Sequence, residues 1–154
     1  MELFVSTFVN KIDKKGRVSF PSIFRNALPK DYKNEIILYK SLRQNSIEGC
    51  SVKRINEIAD RINNLDLFSE DEEDFSTSIF SEIIPTNLDS EGRFVIPETL
   101  KKFSKITTEA TFIGQGYYFQ ILEPQRAKQK QKLSRTRLVE RKKSLSAILK
   151  ENNK

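Results

Sequence analysis

The chain of 154 residues contains no histidine and no tryptophan, and Cys50 is its only cysteine. The commonest general base and metal ligand at neutral pH is therefore missing. One cysteine excludes an internal disulfide framework and fits a reducing compartment. Cys50 lies between Gly49 and Ser51 with no histidine to activate it, so we interpret it as a small residue where a loop meets a helix. The composition argues against an enzyme and predicts no cofactor and no metal site.

Long apolar runs are also lacking. The longest is four residues, Ile36 to Tyr39, which is too short for a transmembrane helix. The sequence Gly114-Gln115-Gly116 precedes a predicted strand rather than a helix, so it predicts a turn and not a phosphate-binding loop. Neither a membrane nor a small-molecule substrate is indicated, and we expect a cytoplasmic protein.

Positive charge is unevenly distributed along the chain. Residues 1–65 carry a net charge of +5, residues 66–125 carry −8 and residues 126–154 carry +9. A basic beginning and a basic tail around an acidic middle indicate a polyanionic partner. From charge alone, a nucleic acid is the partner that we expect.

One ten-residue segment occurs twice. Ile12–Pro21 returns 76 residues later as Leu88–Pro97, with Asp, Gly, Arg and Pro at the same positions. Such self-similarity indicates two copies of one structural unit. Each copy spans only about forty to fifty residues, near the lower size limit for an independent core. We therefore expect the copies to share a core with each other or with a partner chain.

Both copies predict the same order of elements: strand, turn, strand, short helix opening with proline, and strand or hairpin. In the first copy, Pro21 opens a helix that is expected to bury Ile23, Phe24 and Leu28. In the second copy, Pro85 interrupts the predicted strand 79–88 and marks it as an edge strand. The further predicted strands are 3–12, 18–20, 35–40, 94–96, 110–113 and 117–122.

An amphipathic helix is predicted between the copies. Ser51 is a suitable N-cap, and apolar residues follow at helical spacing: Val52, Ile55, Ile58, Ala59, Ile62 and Leu65. The predicted domains are 4–51 and 78–124, joined by the helix and an acidic linker over 52–77 and followed by a basic, helical or disordered tail, 125–154. The fold class is mainly β with short helices (α+β). Because exposed strand edges need closure or exchange, we expect a closed barrel of interlocked copies.

The repeated turn is the candidate functional site. Asp13 and Asp89 are predicted to cap the turn, and Gly16 and Gly92 to supply its positive φ. The arginine that follows each glycine has two possible roles. It pairs with the aspartate or bonds a strand carbonyl, or its guanidinium contacts a phosphate or a base edge.

Charge distinguishes the two turns. Lys14 and Lys15 precede Arg17, whereas Ser90 and Glu91 occupy their positions before Arg93. Electrostatic attraction dominates binding to the phosphate backbone. The predicted DNA-binding residues are therefore Lys14, Lys15, Arg17 and Arg93, and we expect the first turn to contribute more than the second.

With these motifs, the chain resembles the MraZ family, which consists of tandem SpoVT-AbrB domains. The likeness depends on Asp13-x-Lys15-Gly16-Arg17, on Leu88-Asp89-x-x-Gly92-Arg93-x-x-Ile96-Pro97 and on Gly114-x-Gly116, and it spans roughly residues 4–125. It implies AbrB-like swapped-hairpin units in a pseudo-dimeric barrel and ring-shaped homo-oligomers. It also implies a transcriptional regulator that binds specific DNA sequences near division and cell-wall genes, through the segments Asp13–Arg17 and Asp89–Arg93.

Two other classes of protein fit the sequence. One is an antitoxin-like protein-interaction module, since AbrB-type folds have that role too; the internal duplication argues against it. The other is a structural oligomer with no role on DNA.

Overall fold

The computed structural model describes residues 2–64, 69–141 and 144–152. The chain divides into a larger unit, Met1–Pro124, and a smaller unit, Gln125–Lys154. The first copy consists of β1 (Thr7–Lys11), β2 (Arg17–Ser19), α1 (Ser22–Ala27), a 3-10 turn (Lys30–Tyr32), β3 (Glu35–Lys40) and β4 (Ile47–Cys50). The connection holds α2 (Val52–Asn63), α3 (Glu70–Phe75) and a π-helical turn (Ser76–Phe80). The second copy consists of β5 (Ile84–Asn87), β6 (Arg93–Val95), α4 (Glu98–Ser104), β7 (Glu109–Gly114) and β8 (Phe119–Leu122).

The strands of the two copies are intertwined. They form a six-stranded antiparallel sheet in the order β1-β7-β8-β4-β3-β5 and a separate two-stranded ribbon, β2–β6. The ladders β1–β7, β2–β6, β3–β5 and β4–β8 each join one copy to the other. Exchanging each strand for its counterpart in the other copy and reversing the order returns the same sheet. The sheet topology therefore has pseudo-two-fold symmetry about the β4–β8 pair, which relates one copy to the other.

The α+β class is confirmed, but the closed barrel is corrected. Within the described residues, β1 and β5 remain the edges of the six-stranded sheet, and the ribbon is a sheet of its own. Closure would need a ladder between each edge strand and the ribbon. The structure instead links β1 to β2 through the side chain of Asn10, whose Nδ2 donates to the carbonyl of Ser19 at 2.8 Å. The Pro85 strand does lie at a sheet edge.

One aromatic core serves both copies. The ring of Phe20, the residue after β2, meets those of Phe24, Phe94, Phe112 and Phe119 edge-on, with centroids 5.2–6.1 Å apart. Such geometry suits the quadrupoles of aromatic rings. Truncating one of these buried rings to alanine costs about 3–5 kcal/mol. Because both copies contribute rings to it, the core is shared, as the small size of each copy led us to expect.

The apolar run in β3 is explained by burial on both faces of the sheet. Ile36 and Leu38 pack into the aromatic core. Ile37 and Tyr39 point the other way, into a second cluster that α2 covers through Ile55. A strand that is buried on both faces has a continuously apolar sequence, without the alternation of apolar and polar residues.

The amphipathic helix between the copies is confirmed as α2. The hydroxyl of Ser51 accepts a hydrogen bond from the backbone N–H of Arg54 at 3.0 Å, which is the predicted N-cap. Ile55 is buried and Ile58 packs against the second cluster. Leu65, the last member of the predicted stripe, lies outside the described residues. The acidic residues after Ser69 form the first turn of α3, where negative charge complements the helix dipole.

Two details of the predicted elements were wrong. Ile23, expected inside, is 43% exposed, because the six-residue helix α1 buries only Phe24 and Ala27. The strand predicted from residue 79 begins at Ile84, since Ser76–Phe80 forms a π-helical turn. That turn places Ile79 in the second cluster, so tertiary burial outweighs its β-branched preference for a strand.

The smaller unit consists of helices. Apart from its first residue, α5 (Pro124–Glu140) belongs to this unit, and α6 (Leu145–Asn152) follows. Leu133, Leu138, Leu145 and Leu149 remain exposed on these helices. None of the helices within the described residues combines the length and apolarity needed to cross a membrane.

Candidate nucleic-acid interface

The first repeated turn is organised by one carboxylate. Oδ1 of Asp13 accepts the backbone N–H groups of Lys15 and Arg17 at 2.9 and 2.8 Å. Oδ2 pairs with Nε of Arg17 at 2.8 Å. Gly16, at φ +82°, donates its N–H to the carbonyl of Asp13 at 3.0 Å, in a conformation that glycine adopts without steric cost. The aspartate therefore holds both the backbone of the turn and the arginine side chain.

The second turn repeats this arrangement bond for bond. Oδ1 of Asp89 accepts the N–H groups of Glu91 and Arg93, each at 2.9 Å, and Oδ2 pairs with Nε of Arg93 at 3.0 Å. Gly92 has φ +76° and the same bond to the aspartate carbonyl. The repeated sequence thus encodes one turn geometry twice.

Both aspartates remain ionised at neutral pH. The hydrogen bond from the backbone N–H of Arg17 is the main cause that lowers the pKa of Asp13 below its ordinary value. The N–H of Arg93 lowers the pKa of Asp89 in the same way. Donors aimed at a carboxylate stabilise its charged form. Each arginine is held to its aspartate through Nε.

The β2–β6 ribbon brings the two arginines onto one surface. Arg17 pairs with Val95, and Arg93 pairs with Ser19. Paired residues share a face of a ladder, as do residues two apart, so both arginines lie on one face. The opposite face packs into the core, with Val18 1% and Phe94 3% exposed. The arginines are diagonal neighbours, and the Cα atoms of such neighbours are about 7–8 Å apart in an antiparallel ladder.

The surroundings of the arginines differ. Nη2 of Arg93 forms an ion pair with Oε2 of Glu91 at 3.2 Å, in addition to its pair with Asp89. At the first turn the corresponding residue is Lys15, and within the described residues Asp13 is the only acidic partner of Arg17. Lys14 and Lys15 are exposed beside it. The first turn is therefore a cationic surface, whereas the guanidinium of the second is largely neutralised by its own copy.

The structure also brings together residues that sequence reasoning missed. The guanidinium of Arg25, from α1, lies against Gly92 of the second turn. Lys33 and Asn34 line the same cleft. The pattern Pro21-x-x-x-Arg25 shows that this arginine lies on a short helix, but it contains no information on which copy's turn the helix meets.

The chain is similar to proteins named "Transcriptional regulator MraZ". It is 41% identical over 125 residues to the protein of Rickettsia rickettsii (strain Sheila Smith), covering 81% of this chain and 84% of the relative. The protein of Rickettsia bellii (strain OSU 85-389) is 41% identical over 129 residues, covering 83% and 86%. That of Rickettsia typhi (strain ATCC VR-144 / Wilmington) is 39% identical over 125 residues. No model of a protein family matches the chain.

Proposed function

The chain belongs to the MraZ family of transcriptional regulators, and from that premise we propose that it binds specific sequences of double-stranded DNA through the β2–β6 ribbon. The resemblance that the repeated motif indicated is thereby confirmed. The proposal concerns the mode of action: which surface meets DNA, and in what assembly.

The observation that supports this proposal most directly is the shared face of Arg17 and Arg93 on the ribbon. The major groove of B-DNA admits a two-stranded β-ribbon. Arginine is the side chain best suited to guanine, because its fork pairs with O6 and N7 together. Since each Nε is held by an aspartate, the guanidinium planes are oriented in advance, and less side-chain entropy is lost on binding.

Lysines of the first turn have a different role in this proposal. Lys14 and Lys15 lie on the exposed turn that leads into the ribbon, beside Arg17 rather than on the ladder face. Contacts from lysine to phosphates position a protein on the duplex but read no sequence. We infer that these lysines hold the backbone of the DNA while the arginines contact base edges.

Assembly completes the proposal. We infer that the intertwined copies form an AbrB-like swapped-hairpin unit, because four ladders join one copy to the other. We further infer a ring-shaped homo-oligomer, located in the cytoplasm on the nucleoid, acting on promoter repeats near division and cell-wall genes. In a ring, several ribbons would engage repeated sites together, so that individually weak contacts combine through effective concentration.

The decisive experiment removes both arginines. We expect the double variant Arg17→Gln/Arg93→Gln to lose preference for a promoter duplex over a scrambled duplex, in fluorescence anisotropy titrations at fixed salt. Two good base contacts are together worth about 2–6 kcal/mol of discrimination. The charge-matched control is Lys53→Gln/Arg61→Gln on α2, which should keep the preference.

Size-exclusion chromatography would verify that the oligomer is unchanged. Retained preference in the arginine double variant would refute the ribbon as the reading surface. A wild-type protein that binds no duplex and co-purifies with a stoichiometric small protein would instead support the antitoxin-like alternative.

A further inference from the structure

A cleft beside the second turn is formed by residues of both copies. It has a volume of about 290 Å³. One wall comes from the first copy, through Arg25 on α1 and through Lys33 and Asn34 just before β3. The other wall is the turn itself, residues 88–90 and 92. Since a water molecule occupies about 30 Å³, the cleft has room for a phosphate group and several waters.

Arg25 is the central cation of the cleft. Its guanidinium packs so closely on Gly92 that a Cβ atom at that position would overlap Nη1. Among the residues that the structure describes, Nε of Arg25 is buried and has no hydrogen-bond partner. A buried, unpartnered donor is costly. The guanidinium thus packs against the second turn, and within the described part of the chain its Nε has no hydrogen-bond partner.

The charge of the cleft favours an anion. Arg25 and Lys33 supply two positive charges, and Asp89 supplies the negative one. Both oxygens of Asp89 are already bonded, Oδ1 to two backbone N–H groups and Oδ2 to Nε of Arg93. The remaining polar groups of the cleft are the side chains of Ser90 and Asn34. A tetrahedral oxyanion suits such a set of donors.

A comparison of the residues that correspond in the two copies shows that this cleft is particular to the second turn. Arg25 corresponds to Lys101, which lies 76 residues later. The bond from Leu88 N–H to the Asn34 carbonyl, at 2.8 Å, corresponds to that from Ile12 N–H to the Thr108 carbonyl, at 2.9 Å. Thr107 therefore stands in the place of Lys33. Next to Gly16, the nearest atom to an added Cβ would be Val95 Cγ1 at 3.7 Å, not a guanidinium.

We propose that Arg25 and Lys33 form a phosphate-binding cleft at the second turn. Through it the first copy supplies positive charge at a turn where Glu91 neutralises Arg93. This inference rests on the proposed function in taking a phosphate of the DNA backbone as the ligand. The same chemistry fits free phosphate, and the experiment distinguishes the two sources.

The first arm measures affinity for a promoter duplex as a function of salt, for the wild type and Arg25→Gln. Loss of one charge-assisted contact should weaken binding about tenfold. It should also reduce the slope of log affinity against log salt by about 1 per bound protomer, without changing sequence preference. The matched control is Lys101→Gln, which removes the corresponding charge from the other copy and should have a smaller effect.

Lys33→Gln is the second variant, since Lys33 is exposed and outside the core. It should reduce affinity several-fold with the same loss of salt slope, even if Arg25→Gln failed to fold. If Lys33→Gln and Arg25→Gln both kept the affinity and the salt slope of the wild type, the cleft proposal would be overturned. The proposed function would remain intact as long as the wild type binds DNA.

The second arm uses inorganic phosphate alone, compared with chloride at equal ionic strength. A greater rise in thermal midpoint with phosphate for the wild type than for Arg25→Gln would assign the cleft to free phosphate if no duplex binds. In that case the proposed function fails and the cleft stands. If phosphate raises the thermal midpoint of the wild type no more than that of Arg25→Gln, and both variants bind DNA as the wild type does, the cleft itself is refuted.

Discussion

The turns Asp13–Arg17 and Asp89–Arg93 have one backbone and two different electrostatic surroundings. Each aspartate accepts the same two N–H groups and holds the same arginine nitrogen. The first arginine lies beside two exposed lysines, whereas the second is paired again, with Glu91. Duplication thus preserved the bonds that define the turn and let the surrounding charges diverge, which separates the residues that form the scaffold from those available for a ligand.

The strongest test of this difference removes the arginines singly. Arg17→Ala should weaken binding to a promoter duplex about 10- to 100-fold, because a base contact is worth about 1–3 kcal/mol. Arg93→Ala should cost less, because Glu91 already competes for its guanidinium. Anisotropy titrations of both variants under one salt condition decide the matter. Equal losses would show that the ion pair with Glu91 has no influence on binding.

The two glycines provide a test of intermediate size. Both have positive φ, so Gly16→Ala and Gly92→Ala should each lower the free energy of unfolding by about 1–2 kcal/mol. Only the second also displaces Arg25, which can swing away because its guanidinium ends a flexible side chain. We therefore expect similar losses in urea unfolding but a further loss of DNA affinity in Gly92→Ala alone. A larger affinity loss in Gly16→Ala would contradict this assignment.

The smallest expected effect comes from exchanging the charges beside the arginines. Glu91→Lys should strengthen DNA binding a few-fold at low salt and Lys15→Glu should weaken it, since exposed charges are worth about 1 kcal/mol or less and are screened. Both changes should fade as salt rises toward 1 M. Opposite signs, or effects that persist at high salt, would mean that these residues act through the conformation of the turn. Circular dichroism of each variant provides the control for folding.

Much of the local structure could be predicted from the sequence. The turns, the helix after Ser51 and the strand with Ile36 to Tyr39 depend on short-range patterns, and the structure contains them. The segment that includes Ile79 was misread because its apolar residues suit a strand as well as a helix, and only packing on the second cluster decides between them.

The relation between the copies was only partly predictable. Their small size indicated a shared core, but which strand pairs with which depends on contacts far apart in the sequence. The same limit concealed Arg25, because its neighbour Gly92 lies in the other copy. Of the two roles considered for Arg17, the structure shows the pair with Asp13, which uses Nε, and the contact with DNA stays a prediction.

Intertwining the copies has a consequence for how the protein is made. Thr7 at the start of β1 pairs with Ile113 in β7, so the first strand has no ladder partner until most of the chain has left the ribosome. Pairings between distant segments slow folding, because the entropy of closing the loop is lost before the contacts form. Until then the apolar residues of the first copy remain exposed to other nascent chains. Synthesis of the second copy is therefore the step that commits the first to its fold.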